Sequence, residues 1–314
     1  MTDSLFCAKP LLKSQNRLPQ NPDPESKGRF PKWLHLPMFK GDNLFETDTI
    51  LKEYRLNTVC EEAKCPNRLE CYSKKTATFL LLGKECTRAC GFCEIDFSKT
   101  PNPPEEDEPI RVALSVKHLG LKHVVLTMVA RDDLADGGAF HIVKVIDSIR
   151  KENPETTIEV LTSDFAGNLT SVDLILNSHP EIFNYNIETV RRLTPSVRHK
   201  ATYDRTLTLL SHIKNSPNPP FIKSGLMIGL GETLEEIHET LRDLKNAGVD
   251  IITMGQYLQP SKRKLIVKEF ISPEAFKSYE TYAYSIGIKH IYAGPFVRSS
   301  HNAKELLKIV HDKT

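Results

Sequence analysis

Three cysteines stand close together in the stretch Thr78 to Phe97, TFLLLGKECTRACGFCEIDF. They are Cys86, Cys90 and Cys93, spaced C-x3-C-x2-C at the end of an apolar run that reads as a strand. Three thiolates on one loop can hold three corners of an iron–sulfur cube and leave the fourth iron open for chemistry, whereas a fourth thiolate makes the cluster an electron carrier or a structural plug. Structural zinc is the competing reading, because C-x2-C fragments are common in zinc sites. Zinc sites usually pair two such knuckles, however, and an x3 then x2 spacing is unlike a knuckle. Phe92, between the last two cysteines, would shield a cluster from water, and burial helps set a reduction potential.

A second group lies upstream, Cys60-EEAK-Cys65-PNRLE-Cys71, spaced C-x4-C-x5-C. Six thiolates exceed what one tetrahedral metal or one cube needs, so two clusters on three cysteines each is the simpler count. A second three-thiol cluster implies an oxygen or nitrogen ligand from elsewhere, since Cys7 is remote in sequence. Of the seven cysteines, six fall between Cys60 and Cys93. That crowding and the odd number suit metal or cluster ligation in a reducing compartment better than a disulfide framework.

Around the cysteines, strand and helix patterns alternate. Strands are read at 76–83, 123–129, 157–164, 182–189, 221–232 and 250–258, with helices at 111–120, 137–154, 169–180, 201–216 and 234–248. Six apolar strands, each followed by a helix or long loop, imply a parallel sheet with right-handed crossovers, either doubly wound or curled like a barrel. Both arrangements collect chemistry at the C-terminal strand ends, where the cysteine loop, the RDDLADGG loop and Gly225 to Glu232 fall. The proline-rich, acidic stretch TPNPPEEDEP is expected to be an irregular surface loop. Residues 1 to about 58 are weakly patterned, with seven Lys or Arg against three Asp or Glu up to Lys40. They read as a basic arm or a solvated tail, pinned at its end by Trp33, Leu34, Leu36 and Met38.

The 314 residues suffice for a sizeable core, and a 39% hydrophobic, 26% charged composition is ordinary for a soluble globular protein. A net charge of +2 implies no general affinity for nucleic acid or anionic membranes. The sequence has no apolar run approaching the roughly 18–20 residues of a membrane span, and a secretory signal is not expected, because MTDSLFCAKPLLKSQN lacks a long hydrophobic core and carries Asp3 early. A bacterial cytoplasmic setting is expected, with an organellar form left open.

Together these features resemble the lipoyl synthases, a family of the radical S-adenosylmethionine superfamily. C-x3-C-x2-C is the superfamily's signature, and C-x4-C-x5-C ahead of it is particular to the family. RDDLADGGA (131–139), FNYNIETVRRL (183–193), KSGLMIGLGE (223–232), GQYLQPS (255–261) and GPFVRSS (294–300) are also similar to the family's stretches. The resemblance implies an α/β fold, a partial (β/α)6 TIM-type barrel at 76–290. It also implies an N-terminal extension at 1–75 with the auxiliary cysteine loop, and a C-terminal extension at 291–314. It implies two [4Fe-4S] clusters. One, on Cys86, Cys90 and Cys93, would bind S-adenosylmethionine; the other, on Cys60, Cys65 and Cys71, would take a serine of the R-S-S motif, Ser300 with Ser299 as the fallback. A radical from S-adenosylmethionine would then open C6 and C8 of an octanoyl chain on a carrier-protein lysine, and the auxiliary cluster would be consumed as sulfur donor. Asn186, Glu188, Gly225 and Gly229 are expected at the S-adenosylmethionine, with Arg131, Asp132 and Asp133 either orienting ligand or forming a loop ion pair. Implied partners are octanoylated carrier domains of 2-oxoacid dehydrogenases or the glycine cleavage H protein, an electron donor such as flavodoxin or ferredoxin, and an iron–sulfur carrier. Basic clusters at Arg191–Arg192, Arg198–Lys200 and Lys262–Lys264 would dock an acidic carrier. Three departures stand out: His301 where the family has Tyr, Val129-Ala130 before the RDD where an acid is usual, and Glu94 where Asp is common. A biotin-synthase-like sulfur-inserting enzyme is the alternative within the class, and it leaves the upstream loop without a role.

Overall fold

The computed structural model describes residues 30–37, 39 and 41–300, so the readings on residues 1–29 (Cys7 among them), on Met38 and on His301 lie outside the described residues. Three helices precede the sheet: α1 (Asp42–Glu53), α2 (Val59–Glu62) and α3 (Arg68–Ser73). Then come β1 (Thr78–Leu81), the two-residue strands β2 (Glu85–Cys86) and β3 (Asp96–Phe97), α4 (Glu108–Leu119), β4 (His123–Met128), α5 (Ala139–Glu152) and β5 (Thr157–Leu161). They are followed by α6 (Leu169–Leu176), β6 (Ile182–Asn184), α7 (Thr194–Val197), α8 (Tyr203–Lys214), β7 (Phe221–Ile228), α9 (Leu234–Asn246), β8 (Ile251–Gln256), α10 (Pro273–Ser285) and β9 (His290–Gly294).

Among the described residues, seven strands form one all-parallel sheet in the order β1-β4-β5-β6-β7-β8-β9. The reason lies in the strands themselves: every residue of β1 and of β8 is buried. A strand apolar on both faces needs cover on both, which crossover helices supply. Spatial order follows chain order without reversal, which decides between the two arrangements open to the sequence. A doubly wound sheet would switch direction partway, whereas unreversed right-handed crossovers curl the sheet as in a barrel. β1 and β9 do not pair, so the barrel stays open.

The sheet runs one strand beyond the six read from the sequence. β9 pairs with β8 from Ile251↔His290 to Gly255↔Gly294, entered from α10, whose Pro273 sits in the first turn behind the Ser272 cap. The acidic loop also ends sooner than its composition suggests. Glu108 and Pro109 open α4, where a proline's missing N–H costs nothing. The buried Glu108 carboxylate accepts the Leu82 N–H at 3.0 Å, tying that helix to the end of β1. In the weakly patterned N-terminal stretch lies α1, which buries Thr47, Ile50 and Leu51; Leu34 is buried as a pin, while Trp33 and Leu36 are half-buried.

Candidate active site

The loop after β1 is held from several sides. β2 and β3 pair Glu85 with Asp96 and Cys86 with Phe97, closing the loop that carries Cys90 and Cys93. The Gly91 N–H donates to Val197 O at 2.9 Å, and its carbonyl accepts Leu265 N–H at 3.0 Å. Arg88, between Cys86 and Cys90, is buried and pairs at 2.6 Å with both Asp132 and Asp164. Asp164 is fully buried and also takes Arg205 at 2.9 Å. Burial would raise the Asp132 carboxyl, but Arg88 holds it below the usual carboxylate range. Arg131 pairs with Asp133 at 2.7 Å. Of the two readings of the RDD triplet, then, the structure shows ion pairs that brace the cysteine loop.

Burial pushes the Cys90 thiol up to about 11 and the Cys93 thiol to about 12, with neighbouring sulfurs and Glu188 adding to both. Cys60 and Cys71 are raised the same way, to about 11 and about 12. Thiols raised in this way hold thiolates only beside a strongly positive group. The donor set fits an iron–sulfur cluster in each loop. Among the described residues no three His, Cys, Asp or Glu side chains meet closely enough to hold one metal ion. A single zinc needs sulfurs about 4 Å apart, whereas a cube takes each sulfur at its own corner.

Beside the Cys90 loop lies a polar cradle. After β6 the chain bends at Glu188, whose φ of 67° is left-handed, and rejoins β7: Glu188 N–H donates to Gly225 O at 2.9 Å, and Glu188 O accepts Met227 N–H at 2.8 Å. Burial raises the Glu188 carboxyl, opposed by Arg198 and by the Asn186 amide, which donates to it at 3.1 Å. Asn186 Oδ1 and Thr253 Oγ1 are buried without a partner among the described residues. Both face Gly225, where an added Cβ would stand 2.9 and 2.6 Å from them. Two unpartnered oxygens at a bare backbone fit a ligand carrying N–H or ammonium donors. At Gly229 the equivalent space is already taken by Gln256 Nε2 and Glu269 O, 2.3 and 2.5 Å from a would-be Cβ, so protein packing fills it.

In the upstream triad Cys60 sits on α2, Cys71 on α3 and Cys65 in the turn between them, with Thr58 capping α2 onto Glu61 N–H. The C-terminal stretch crosses from this loop to the barrel. Asn67 Nδ2 donates to Phe296 O at 2.7 Å, and Ser299 Oγ accepts from Asn186 Nδ2 at 3.4 Å. Between them Arg298 lies beside Cys65, its charge opposed by burial and supported by that sulfur. The passage needs Gly255: a Cβ there would stand 2.1 Å from Val297 O. Ser299 is thus turned toward Asn186, while Ser300 is half-buried at the end of the described chain.

Several site residues escaped the sequence reading. Glu232 Oε2 accepts three consecutive backbone N–H groups, Gly229, Leu230 and Gly231, at 2.9, 3.0 and 3.2 Å, ordering the turn after β7. Arg198, read as part of a basic docking run, is buried instead; its Nη1 holds the Asn186 carbonyl at 2.7 Å and Nη2 bonds Thr206. Arg191 and Arg192 are likewise engaged, with Asp204 and Glu236, and Lys200 with Asp132. The turn Lys262–Lys264 forms no ion pair within 4 Å among the described residues, although Lys264 helps hold the Glu94 carboxyl down. Signal for Glu232 existed in GLGE, a glycine turn closed by an acid.

An open parallel barrel with a three-thiol loop after its first strand defines a class, the radical SAM superfamily, whose model matches residues 80–244. Streptococcus suis SuiB bound to S-adenosylmethionine superposes at TM-score 0.54 with 13% identity, over 72% of this chain and 54% of that one. HydG, a maturase of the [FeFe]-hydrogenase, does so at TM-score 0.51 with 16% identity, over 74% and 62%. The sequence narrows the class. The lipoyl synthase of Protochlamydia amoebophila is 59% identical over 97% of this chain and 96% of its own length, and that of Chlamydia trachomatis serovar D 50% identical over 96% of each. The chain belongs to the lipoyl synthase family.

Proposed function

We propose that the two cysteine loops serve one reaction, insertion of two sulfur atoms at C6 and C8 of an octanoyl chain amide-linked to a carrier-domain lysine. The observation that supports this reading is the C-terminal stretch: it bonds Asn67 in the upstream loop at one end and Asn186 of the cradle at the other, so one segment ties the two cysteine regions together. Cys86, Cys90 and Cys93 would hold a [4Fe-4S] cluster that, with S-adenosylmethionine, supplies a carbon radical able to break a methylene C–H bond that no acid or base can open. Cys60, Cys65, Cys71 and Ser300 would hold the auxiliary [4Fe-4S] cluster that supplies sulfur.

The chain's own residues do the rest. Asn186 Oδ1 and Thr253 Oγ1 accept the donors of S-adenosylmethionine at the Gly225 backbone. Glu188, kept in place by Asn186 and Arg198, answers its charge. Gly229 and its neighbours, fixed by Glu232, shape the wall near the adenosine. Ser299 Oγ faces Asn186 at 3.4 Å, which supports Ser300 as the oxygen ligand; an alkoxide is a weaker partner for iron than a thiolate and suits a corner that is released. The basic turn Lys262–Lys264 suits an acidic carrier domain, such as those of 2-oxoacid dehydrogenases or the glycine cleavage H protein. Electrons would come from a flavodoxin or ferredoxin, and an iron–sulfur carrier would rebuild the spent cluster, in a bacterial cytoplasm. No described helix is long and apolar enough to cross a membrane.

Anaerobic reconstitution should load about eight irons per chain, as two cubes require. With an octanoylated carrier domain, S-adenosylmethionine and a reductant, mass spectrometry should find two added sulfurs. Ser300→Cys should keep the iron and lose most sulfur insertion. Stoichiometric zinc in place of iron, or a product lacking sulfur, would refute the reading.

A further inference from the structure

A carboxylate that neither triad needs as a ligand sits where the two cysteine loops meet. Glu94 follows Cys93, and its side chain is only 8% exposed. Its Oε1 accepts the Lys64 ammonium at 2.7 Å and its Oε2 the Ser261 hydroxyl at 2.9 Å. Lys64 lies between Cys60 and Cys65, and its φ of 50° marks the left-handed turn that brings the chain from α2 to Cys65. Ser261 belongs to the loop after β8, whose Leu265 N–H binds the Gly91 carbonyl at 3.0 Å. Each Glu94 oxygen is therefore committed to a different loop, and neither is its own.

Most lysine–carboxylate pairs at a surface hold little, because water screens them and both side chains are free to wander. The Lys64 side chain is 59% exposed, but the carboxylate it meets is covered and has its second oxygen held by a hydroxyl, so the lysine has a partner fixed in place. No other ion pair in the described residues joins the Cys60–Cys71 loop to the Cys86–Cys93 loop.

We infer that Glu94 is a positioning residue that sets the upstream triad against the radical-forming triad. A carbon opened by hydrogen removal then meets sulfur before any other partner. The inference rests on the sulfur-donor reading of the upstream triad.

The test uses the full chain carrying Lys64→Met, Glu94→Gln, or the exchanged pair Lys64→Glu with Glu94→Lys. In metal-free protein, hydrogen exchange should quicken together in segments 60–67 and 91–97 of the single variants, with the sheet strands unchanged. In reconstituted protein at full iron content, the single variants should form about 10- to 100-fold more 5′-deoxyadenosine per sulfur inserted, as expected for a reacting group misplaced by about 1 Å. KM for S-adenosylmethionine should stay put. The exchanged pair should recover most of the coupling. Unchanged exchange and coupling in the single variants, or no recovery in the exchanged pair, overturns the inference. Failure of the sulfur-donor reading looks different: the unaltered protein would load about four irons and insert no sulfur, while the exchange measurement would still report the contact.

Discussion

A single methyl group distinguishes the cradle from an ordinary strand edge. Gly225→Ala would set a Cβ within 3 Å of both unpartnered oxygens, Thr253 Oγ1 and Asn186 Oδ1. Both are side-chain ends that can swing aside, so the fold should survive, but neither oxygen would then face the ligand. Losing a hydrogen bond to a charged group costs about 1.5–3 kcal/mol, so S-adenosylmethionine should bind at least about 10-fold more weakly. Equilibrium binding on reconstituted protein, with an unchanged melting temperature as control, checks this; undiminished binding would remove Gly225 and Asn186 from the site. At this scale the sequence was legible where chemistry dictates spacing. Cysteines that share a cluster must recur at short intervals, and both triads stood out. Charges give no such sign. Arg88, Asp164 and Arg198 look like surface residues in the string of letters, and only long-range pairing reveals them as buried braces.

Elements announce themselves when local and distant forces agree. α9 is amphipathic and starts at a capping box in which Thr233 and Glu236 bond each other's backbone N–H, so its bounds were readable. β9 is five residues long with partly exposed positions, and pairing with β8 makes it a strand; α10 before it is weakly patterned along its length, although Ser272 and Pro273 mark its start. The capping box also predicts a pH response. Arg192, together with the Thr233 N–H, holds the Glu236 carboxyl down at about 2, against an ordinary 4.5. A carboxyl lowered by folding contributes stability that is complete above about 4.5 and is lost as pH falls toward 2. The pair is largely solvent-facing, so the loss should be about 1 kcal/mol or less. Melting temperatures of the unaltered protein and Glu236→Gln should therefore converge between pH 5 and pH 2. A gap that stays constant over that range would show that the carboxylate's charge contributes nothing to the helix.

For the molecule as a whole, the barrel interior poses the sharpest physical problem. On β5 and β7, two residues before Gly225 along β7, Lys223 and Glu159 pair at 3.0 Å with both side chains fully buried. Burial would raise the Glu159 carboxyl, yet Lys223 and His123 keep it below the usual carboxylate range, and Asn184 donates to it at 2.8 Å. An apolar filling would be at least as stable, because taking two charges out of water costs several kcal/mol apiece. The pair does something an apolar filling cannot: it joins two strands with one β6 residue between them, and it is satisfied in a single register. Strands this uniformly apolar can slip without exposing a polar face, and a shifted β7 would strand a charge. Lys223→Met should accordingly destabilise the fold by about 3–5 kcal/mol, a fall of roughly 5–8 °C in Tm for a chain of this size. Lys223→Met combined with Glu159→Gln should recover most of that loss while refolding to a less uniform product. The check is thermal unfolding of both variants, with near-ultraviolet dichroism to read packing. If the single variant melts no lower than the double, the buried charge left behind is not what costs, and the register argument falls with it.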